Sequence, residues 1–270
     1  MASYPNGDLL VSSDWLAANL SNPNVKVVDT RGAPRYAEGH IPGAVNIPVA
    51  RLDDPTRMSQ PLPPERMSVL LSNAGLTNDD TIVIYDDGAG LMAGRLFWVL
   101  EYYGHKKLGV LDGGLTRWAA EQRELTREAT NVTASSYTAT AVPARIASKD
   151  DVKAALGEAN TVLLDVRSQP EYTGEMQQAA KAGHIPGAKN VDWQTTMTGM
   201  NVPTVKSADE LTGLYGGLGV TPDKRVITYC QGGVRAAHSY FVLRLLGFEN
   251  VANYTGSWGD WGNDPSTPVE

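Results

Sequence analysis

The 270-residue sequence lacks the features that define several broad classes. It has one cysteine, Cys230, so it can form neither an internal disulfide nor a multi-cysteine metal site, and a lone thiol suits a reducing compartment. It has no apolar run of about 18 residues, which excludes a hydrophobic spanning helix. Its opening residues, MASYPNGDLL, lack the basic stretch and apolar core of a secretory signal. A cytoplasmic location is therefore expected. Long runs of one charge are absent too. Lys and Arg total 23 against 30 Asp and Glu, and the formal net charge of -7 is spread along the chain, which argues against a nucleic-acid surface. A small anion would need a local positive site. What is there is 42% hydrophobic content, over a length that suits two domains of roughly 100–150 residues better than one.

The chain repeats itself. Val27-Val28-Asp29-Thr30-Arg31 is echoed by Leu163-Leu164-Asp165-Val166-Arg167, at an offset of 136. Gly39-His40-Ile41-Pro42-Gly43-Ala44 returns unchanged as Gly183-His184-Ile185-Pro186-Gly187-Ala188, at an offset of 144. An eight-residue insertion therefore separates the two blocks in the second copy. At the same offset of 144, Ile82-Val83-Ile84-Tyr85-Asp86 aligns with Val226-Ile227-Thr228-Tyr229-Cys230. At 143, Asp112 through Trp118 aligns with Thr255 through Trp261. Four blocks in one order at nearly constant spacing are the mark of a duplication.

Each copy reads as alternating strand and helix. The short runs Val25 to Val28, Thr81 to Tyr85, Val162 to Leu164 and Arg225 to Tyr229 have the composition of buried strands. Arg95 to Tyr103 and Ala236 to Leu246 are amphipathic, follow glycine-containing loops and end at Gly104 and Gly247, as helices with glycine caps do. The expected fold is α/β, two tandem units that are each a mostly parallel sheet flanked by helices. The expected division is residues 1–126, a Thr, Ser and Ala-rich linker at 127–144, and residues 145–270.

Duplication supplies an internal control, because what both copies share serves the fold and what only one has is a candidate for chemistry. His40 and His184, Asp29 with Arg31, Asp165 with Arg167, and Trp118 and Trp261 are all shared, so structural roles are expected for them. Arg167 could still face a site in the second copy. The sharp difference is Asp86 against Cys230. Cys230 opens a loop at the carboxyl end of a buried parallel strand, where open α/β sheets place their sites. Gly232 and Gly233 let that loop curl so that backbone N–H groups converge, and with the following helix N-terminus they favour negative charge on the sulfur. Arg235 is expected to add a fixed cation. A buried, inert thiol is the plainer alternative.

These blocks, the loop from Cys230 to Arg235 and the terminal Gly256-Ser257-Trp258 through Trp261 resemble the tandem-domain rhodanese family of sulfurtransferases, thiosulfate type, over nearly the whole chain. The resemblance implies two rhodanese-like domains, with the first non-catalytic and carrying Asp86 at the cysteine position. It implies a second domain in which Cys230 cycles through a persulfide, while Gln231, Gly232, Gly233, Val234 and Arg235 hold a small anionic sulfur donor. A thiophilic acceptor such as cyanide or a thiol, or a protein acceptor, would remove the sulfur. No metal or organic cofactor is implied, nor a nucleic-acid or membrane partner. Phosphatases of this fold place five residues between cysteine and arginine, and here only four intervene, a loop too tight for phosphate.

Thiosulfate is the expected donor. The 3-mercaptopyruvate enzymes resemble a Cys-Gly-Ser-Gly loop, and this loop has Gly232 where the serine stands. Gln231 is neutral where the best-known thiosulfate loops have arginine, and Glu171 lies in a segment where several relatives carry a donor-binding arginine. Lys181 in the insertion is a candidate replacement, with Asp165 and Arg167 in the surrounding layer. Residues 86–93, including Leu91 and Met92, are expected to wall one side of the cleft. A non-catalytic interaction module is an alternative, although such modules usually lose the cysteine. A redox sensor would lack a second cysteine to resolve a sulfenic acid.

Overall fold

A computed structural model describes residues 3–57, 59–199 and 201–270. The first sheet contains β1 (Leu10–Val11), β2 (Val25–Asp29), β3 (Val45–Asn46), β4 (Thr81–Tyr85) and β5 (Leu108–Leu111), in the order β1-β5-β4-β2-β3. The second contains β6 (Ile146–Ala147), β7 (Thr161–Asp165), β8 (Lys189–Asn190), β9 (Arg225–Tyr229) and β10 (Val251–Tyr254), in the matching order β6-β10-β9-β7-β8. Every pairing is parallel. The helices of the first unit are α1 (Ser13–Asn19), α2 (Ala33–Glu38), α3 (Pro64–Asn73), α4 (Leu91–Tyr102) and α5 (Gly114–Ala120). Their counterparts are α6 (Lys149–Ala154), α7 (Gln169–Thr173), α8 (Ala208–Gly216), α9 (Val234–Leu245) and α10 (Ser257–Trp261). The expected fold class of two tandem α/β units is the observed one.

The central strands are apolar on both faces because both faces are covered. Val28, Ile82 and Ile84 point inward, while the alternate residues Val27, Val83 and Tyr85 point to an outer core with Trp118. The second sheet repeats this, with Val162, Leu164 and Val226 inward and Leu163, Ile227 and Tyr229 outward against Trp258 and Trp261. The inner cores of the two units are one continuous cluster. Its centre is the pair α4 and α9, whose Phe97 and Phe241 rings meet edge-on at 5.0 Å. Gly94 is required there, since a Cβ would lie 2.8 Å from the Cα of His238.

Both helices begin earlier than the sequence pattern suggests. Gly90 and Gly233 adopt left-handed backbone, φ 71° and 82°, and turn the chain into α4 and α9 at once. Residues 127–142 have neither helix nor strand, yet they are bound to the first unit rather than simply crossing between units. Ser135 N–H donates to Ser72 O, Ala139 N–H donates to the Ser68 hydroxyl, and Tyr137 is buried.

The shared motifs tie strand ends to the repeated hexapeptide. Arg31 forks onto Asp29 and donates to Gly39 O, as Arg167 does onto Asp165 and Gly183 O. His40 stacks on Tyr36 and His184 on Tyr172, each at 3.7 Å, and each Nδ1 is 2.9 Å from that tyrosine's carbonyl oxygen. Among the described residues, no helix is long and apolar enough to cross a membrane.

Candidate active site

Cys230 follows β9 directly and is buried, at 1% exposure. The chain turns through Gln231 and Gly232 into the left-handed Gly233, whose N–H donates to Cys230 Sγ at 3.1 Å. The tight turn places the sulfur at the N-terminal end of the 12-residue helix α9, where N–H groups and the helix dipole favour negative charge. The start of α10 supports the loop from below, with Trp258 N–H donating to Cys230 O and Gly259 N–H to Gln231 O, both at 2.9 Å.

The first unit contains the same cradle already filled. Asp86 Oδ1 accepts from the N–H groups of Gly88 and Gly90 at 2.8 and 3.0 Å, and Oδ2 from those of Met92 and Ala93 at 2.9 and 3.3 Å. Burial pushes this carboxyl upward in pKa while the four donors pull the other way. Gly90 corresponds to Gly233, so one N–H occupies the same place in both copies. The carboxylate oxygens lie one bond further from the backbone than a cysteine sulfur. They therefore mark how far out, along the first turn of the helix, the cradle accepts negative charge.

Arg235 is the expected cation beside the loop, but it is paired. It forks onto Glu171, Nη1 to Oε2 at 2.7 Å and Nη2 to Oε1 at 2.9 Å. Glu171 is further fixed by Ser168, whose N–H and hydroxyl donate to Oε2 at 3.1 and 2.8 Å. Burial would raise the Glu171 carboxyl, but Arg235 and Ser168 outweigh it and hold it at about 2. Burial would likewise lower Arg235, and the Glu171 pair with the nearby Cys230 sulfur raises it instead.

The remaining expected site residues divide. Asp165 and Arg167 are fully buried, with Arg167 over the Trp258 ring at 4.6 Å, and they lie behind the loop, near enough for Asp165 to help raise Arg235 and for Glu171 to help raise Arg167. Lys181 is engaged elsewhere, since its ammonium donates to the carbonyls of Asp264 and Thr267 at 2.6 and 2.5 Å. It does not replace a donor-binding arginine. The side chain of Gln231 donates to Gln178 O at 3.0 Å. Val234 is the first residue of α9.

Two contributors differ from the sequence expectation. Ser257, on α10, accepts from Cys230 N–H at 3.1 Å and lies 4.0 Å from Sγ, so a serine does stand beside the sulfur although none is in the loop. Its hydroxyl can donate to Tyr254 O, at 2.8 Å, or toward Sγ. The second contributor is the first unit, through residues other than those expected. Leu91 and Met92 line a separate cavity of about 410 Å³ above Asp86. The neighbours of the cysteine loop are instead Gln60, which donates to the Thr255 hydroxyl at 2.8 Å, and Ser59, whose hydroxyl is 3.5 Å from where a Gly232 Cβ would stand. The exchange is reciprocal, because Val205 N–H of the second unit donates to Asp112 of the first at 3.1 Å.

Comparison with known proteins fits this geometry. The model of the rhodanese-like domain matches residues 12–121 and 148–264. A thiosulfate sulfurtransferase of Azotobacter vinelandii is 38% identical over 278 residues, covering all of both chains. The sulfur carrier protein TtuD of Thermus thermophilus is 38% identical over 98% of both. Among solved structures, the 3-mercaptopyruvate sulfotransferase SseA from Escherichia coli superposes with a TM-score of 0.83 at 32% identity, over 93% of this chain and 98% of that one. An anaerobic ergothioneine biosynthesis enzyme from Chlorobium limicola gives 0.91 at 26% identity, over all of this chain and 72% of that one. The chain belongs to the rhodanese family, with two rhodanese-like domains in tandem and its cysteine in the second.

Proposed function

We propose that the protein is a thiosulfate sulfurtransferase that carries sulfane sulfur on Cys230. The observation that carries this reading is the sulfur itself, held 3.1 Å from Gly233 N–H in a cradle whose counterpart already binds a carboxylate anion. In the first step the Cys230 sulfur anion attacks the outer sulfur of thiosulfate. An S–S bond forms, the bond to the sulfonate sulfur breaks, and sulfite leaves with the electron pair. The outer sulfur of the resulting persulfide extends to the depth that the Asp86 oxygens reach in the first unit, where first-turn N–H groups of α9 stabilise its charge. In the second step a thiophilic acceptor attacks that outer sulfur and releases the Cys230 anion. Donor and acceptor thus use one site in turn, a ping-pong scheme.

On this reading residues 145–270 carry the chemistry and residues 1–126 support it, lending Ser59 and Gln60 to the loop's surroundings. Gly232, Gly233, Gln231, Val234 and Arg235 form the donor's immediate surroundings. The acceptor is a small thiophile or a protein thiol, and the sulfur carrier among the relatives favours the latter. A cytoplasmic location belongs to the same proposal. A second reading, 3-mercaptopyruvate as donor, draws on the likeness to the Escherichia coli protein and on Ser257 beside the sulfur. That donor leaves an enolate in need of a proton, and the Ser257 hydroxyl lies closer to Tyr254 O, at 2.8 Å, than to Sγ, at 4.0 Å.

Intact mass after incubation with thiosulfate tests the proposal. Wild type gains one sulfur, cyanide removes it as thiocyanate, and Cys230→Ser gains none. Sulfur gained by Cys230→Ser would move the site elsewhere. Faster loading from 3-mercaptopyruvate would favour the second reading.

A further inference from the structure

We propose that Glu171 sets the charge class of the sulfur donor by neutralising Arg235. The inference rests on the reading of Cys230 as a sulfur carrier. The duplication singles out the pair. α2 and α7 align through Pro34 with Pro170 and Tyr36 with Tyr172, which puts Arg35 where the second unit has Glu171. α4 and α9 align through their left-handed caps Gly90 and Gly233, which puts Met92 where the second unit has Arg235. Neither half of the ion pair exists in the unit without cysteine. The fold therefore does not need it, and it accompanies the reactive sulfur.

The pair is built to persist. Both terminal nitrogens of Arg235 face Glu171, whose side chain is 7% exposed, and the Ser168 N–H and hydroxyl hold the same carboxylate at the start of α7. Swinging Glu171 away would strip three donors from one oxygen. A donor anion arriving at Cys230 thus meets a guanidinium already matched by a fixed negative charge. Repulsion from that charge scales with the charge on the donor. Removing it at a separation on the order of 7 Å is worth, with the screening of bulk water as the lower bound, about threefold in binding per unit of donor charge, hence about tenfold for a dianion. Glu171 therefore holds down affinity for dianionic thiosulfate more than for monoanionic sulfane donors such as thiosulfonates. With a thiosulfonate the step balances in the same way: the Cys230 sulfur bonds to the outer sulfur and sulfinate leaves with the electron pair.

Glu171→Gln is the test, because glutamine keeps the volume and the acceptor that caps α7 while removing the charge. KM and kcat are measured with thiosulfate and with methanethiosulfonate, using cyanide as acceptor, at low and high salt. The expected result at low salt is a KM about tenfold lower for thiosulfate and about threefold lower for methanethiosulfonate, with kcat within about twofold. The contrast should fade at high salt. Removing both charges, in Glu171→Gln with Arg235→Met, should return the ratio of the two KM values toward wild type. Equal changes for both donors, a rise in KM, or a loss of kcat shared by both with a lowered melting temperature would overturn the inference and leave Glu171 a structural cap. Alkylation of Cys230 by neutral iodoacetamide needs no donor and separates the two proposals. Its pH profile should move to lower pH in Glu171→Gln, and an unmoved profile overturns the inference whatever the donor proves to be. A wild type that takes sulfur from neither donor instead overturns the sulfur-carrier reading.

Discussion

Ser257 adopts left-handed backbone, φ 52°, and thereby sets its hydroxyl 3.1 Å from the Cys230 amide nitrogen. The equivalent residue in the first unit is Gly114, at φ 51°, which takes this conformation without a side-chain penalty. The unit with the reactive sulfur thus tolerates about 1 kcal/mol of backbone strain in exchange for an acceptor beneath the loop.

Ser257→Ala and Ser257→Gly should therefore rank against intuition. Alanine keeps the strain and leaves the buried Cys230 amide unpaired, at a cost of about 1–2 kcal/mol. Glycine also loses the acceptor but relieves the strain, so it should be the more stable of the two in urea. Both should form thiocyanate more slowly, since the loop loses its anchor. Equal stability for the two variants would mean that the backbone at residue 257 is not strained.

Asp86 makes a complementary prediction for the unit without cysteine. Four backbone N–H groups converge on its buried carboxylate, so Asp86→Ala leaves them without their acceptor. The expected loss is about 2–3 kcal/mol in urea unfolding, with kcat for thiocyanate formation within about twofold of wild type at a temperature where the variant is folded. A large fall in kcat with little loss of stability would assign Asp86 to the reaction instead.

The duplicated histidines should behave as fold residues. His184→Ala and His40→Ala each remove a 3.7 Å stack on a tyrosine and a contact with its carbonyl oxygen. Each should lower stability by about 1–2 kcal/mol and change kcat little. A His184→Ala protein that melts like wild type but turns over slowly would break the parallel between the copies.

How much of this was legible in the sequence depended on periodicity and repetition. The long central strands and the duplication stood out because buried parallel strands are continuous apolar runs and because whole blocks recur. The two-residue strands β1, β3, β6 and β8 left no such mark. The starts of α4 and α9 were misplaced because a left-handed glycine begins the helix without any polar cap to announce it. Cys230 emerged from comparison of the copies, whereas Glu171 stood out only as a carboxylate in a segment where several relatives carry a donor-binding arginine. Its meaning was hidden because a carboxylate beside an anion site looks unfavourable until its guanidinium partner is seen. Lys181 and Ser257 show the converse limit. Which backbone atom a side chain reaches across some 30 or 80 residues is set by packing, and no local pattern records it.

The last prediction concerns acid. His238 is fully buried on α9 at the contact between the two units, with Trp193 edge-on at 5.2 Å and the glycines Gly90 and Gly94 of the first unit against it. Burial pushes its pKa down to about 4, against a weak pull from the Ala89 backbone. An unfolded histidine titrates near 6.5. Above that pH the ring is neutral in both states and adds no pH dependence. As pH falls through 6.5 the unfolded chain takes up a proton that the folded chain refuses, so stability drops until the folded ring is protonated near 4. The full loss is about 3 kcal/mol. His105, also pushed down by burial, contributes in the same window. Glu171, held at about 2, loses its contribution as pH falls from the ordinary carboxylate value toward 2, and so below most of the histidine window. Urea unfolding of wild type and His238→Leu between pH 7.5 and 5 should isolate the residue. Wild type should lose stability more steeply than the variant as pH falls, whichever of the two is the more stable at pH 7.5. Parallel curves would show that His238 accepts its proton within the folded protein, and the contact between α4 and α9 would then have to accommodate a charged ring.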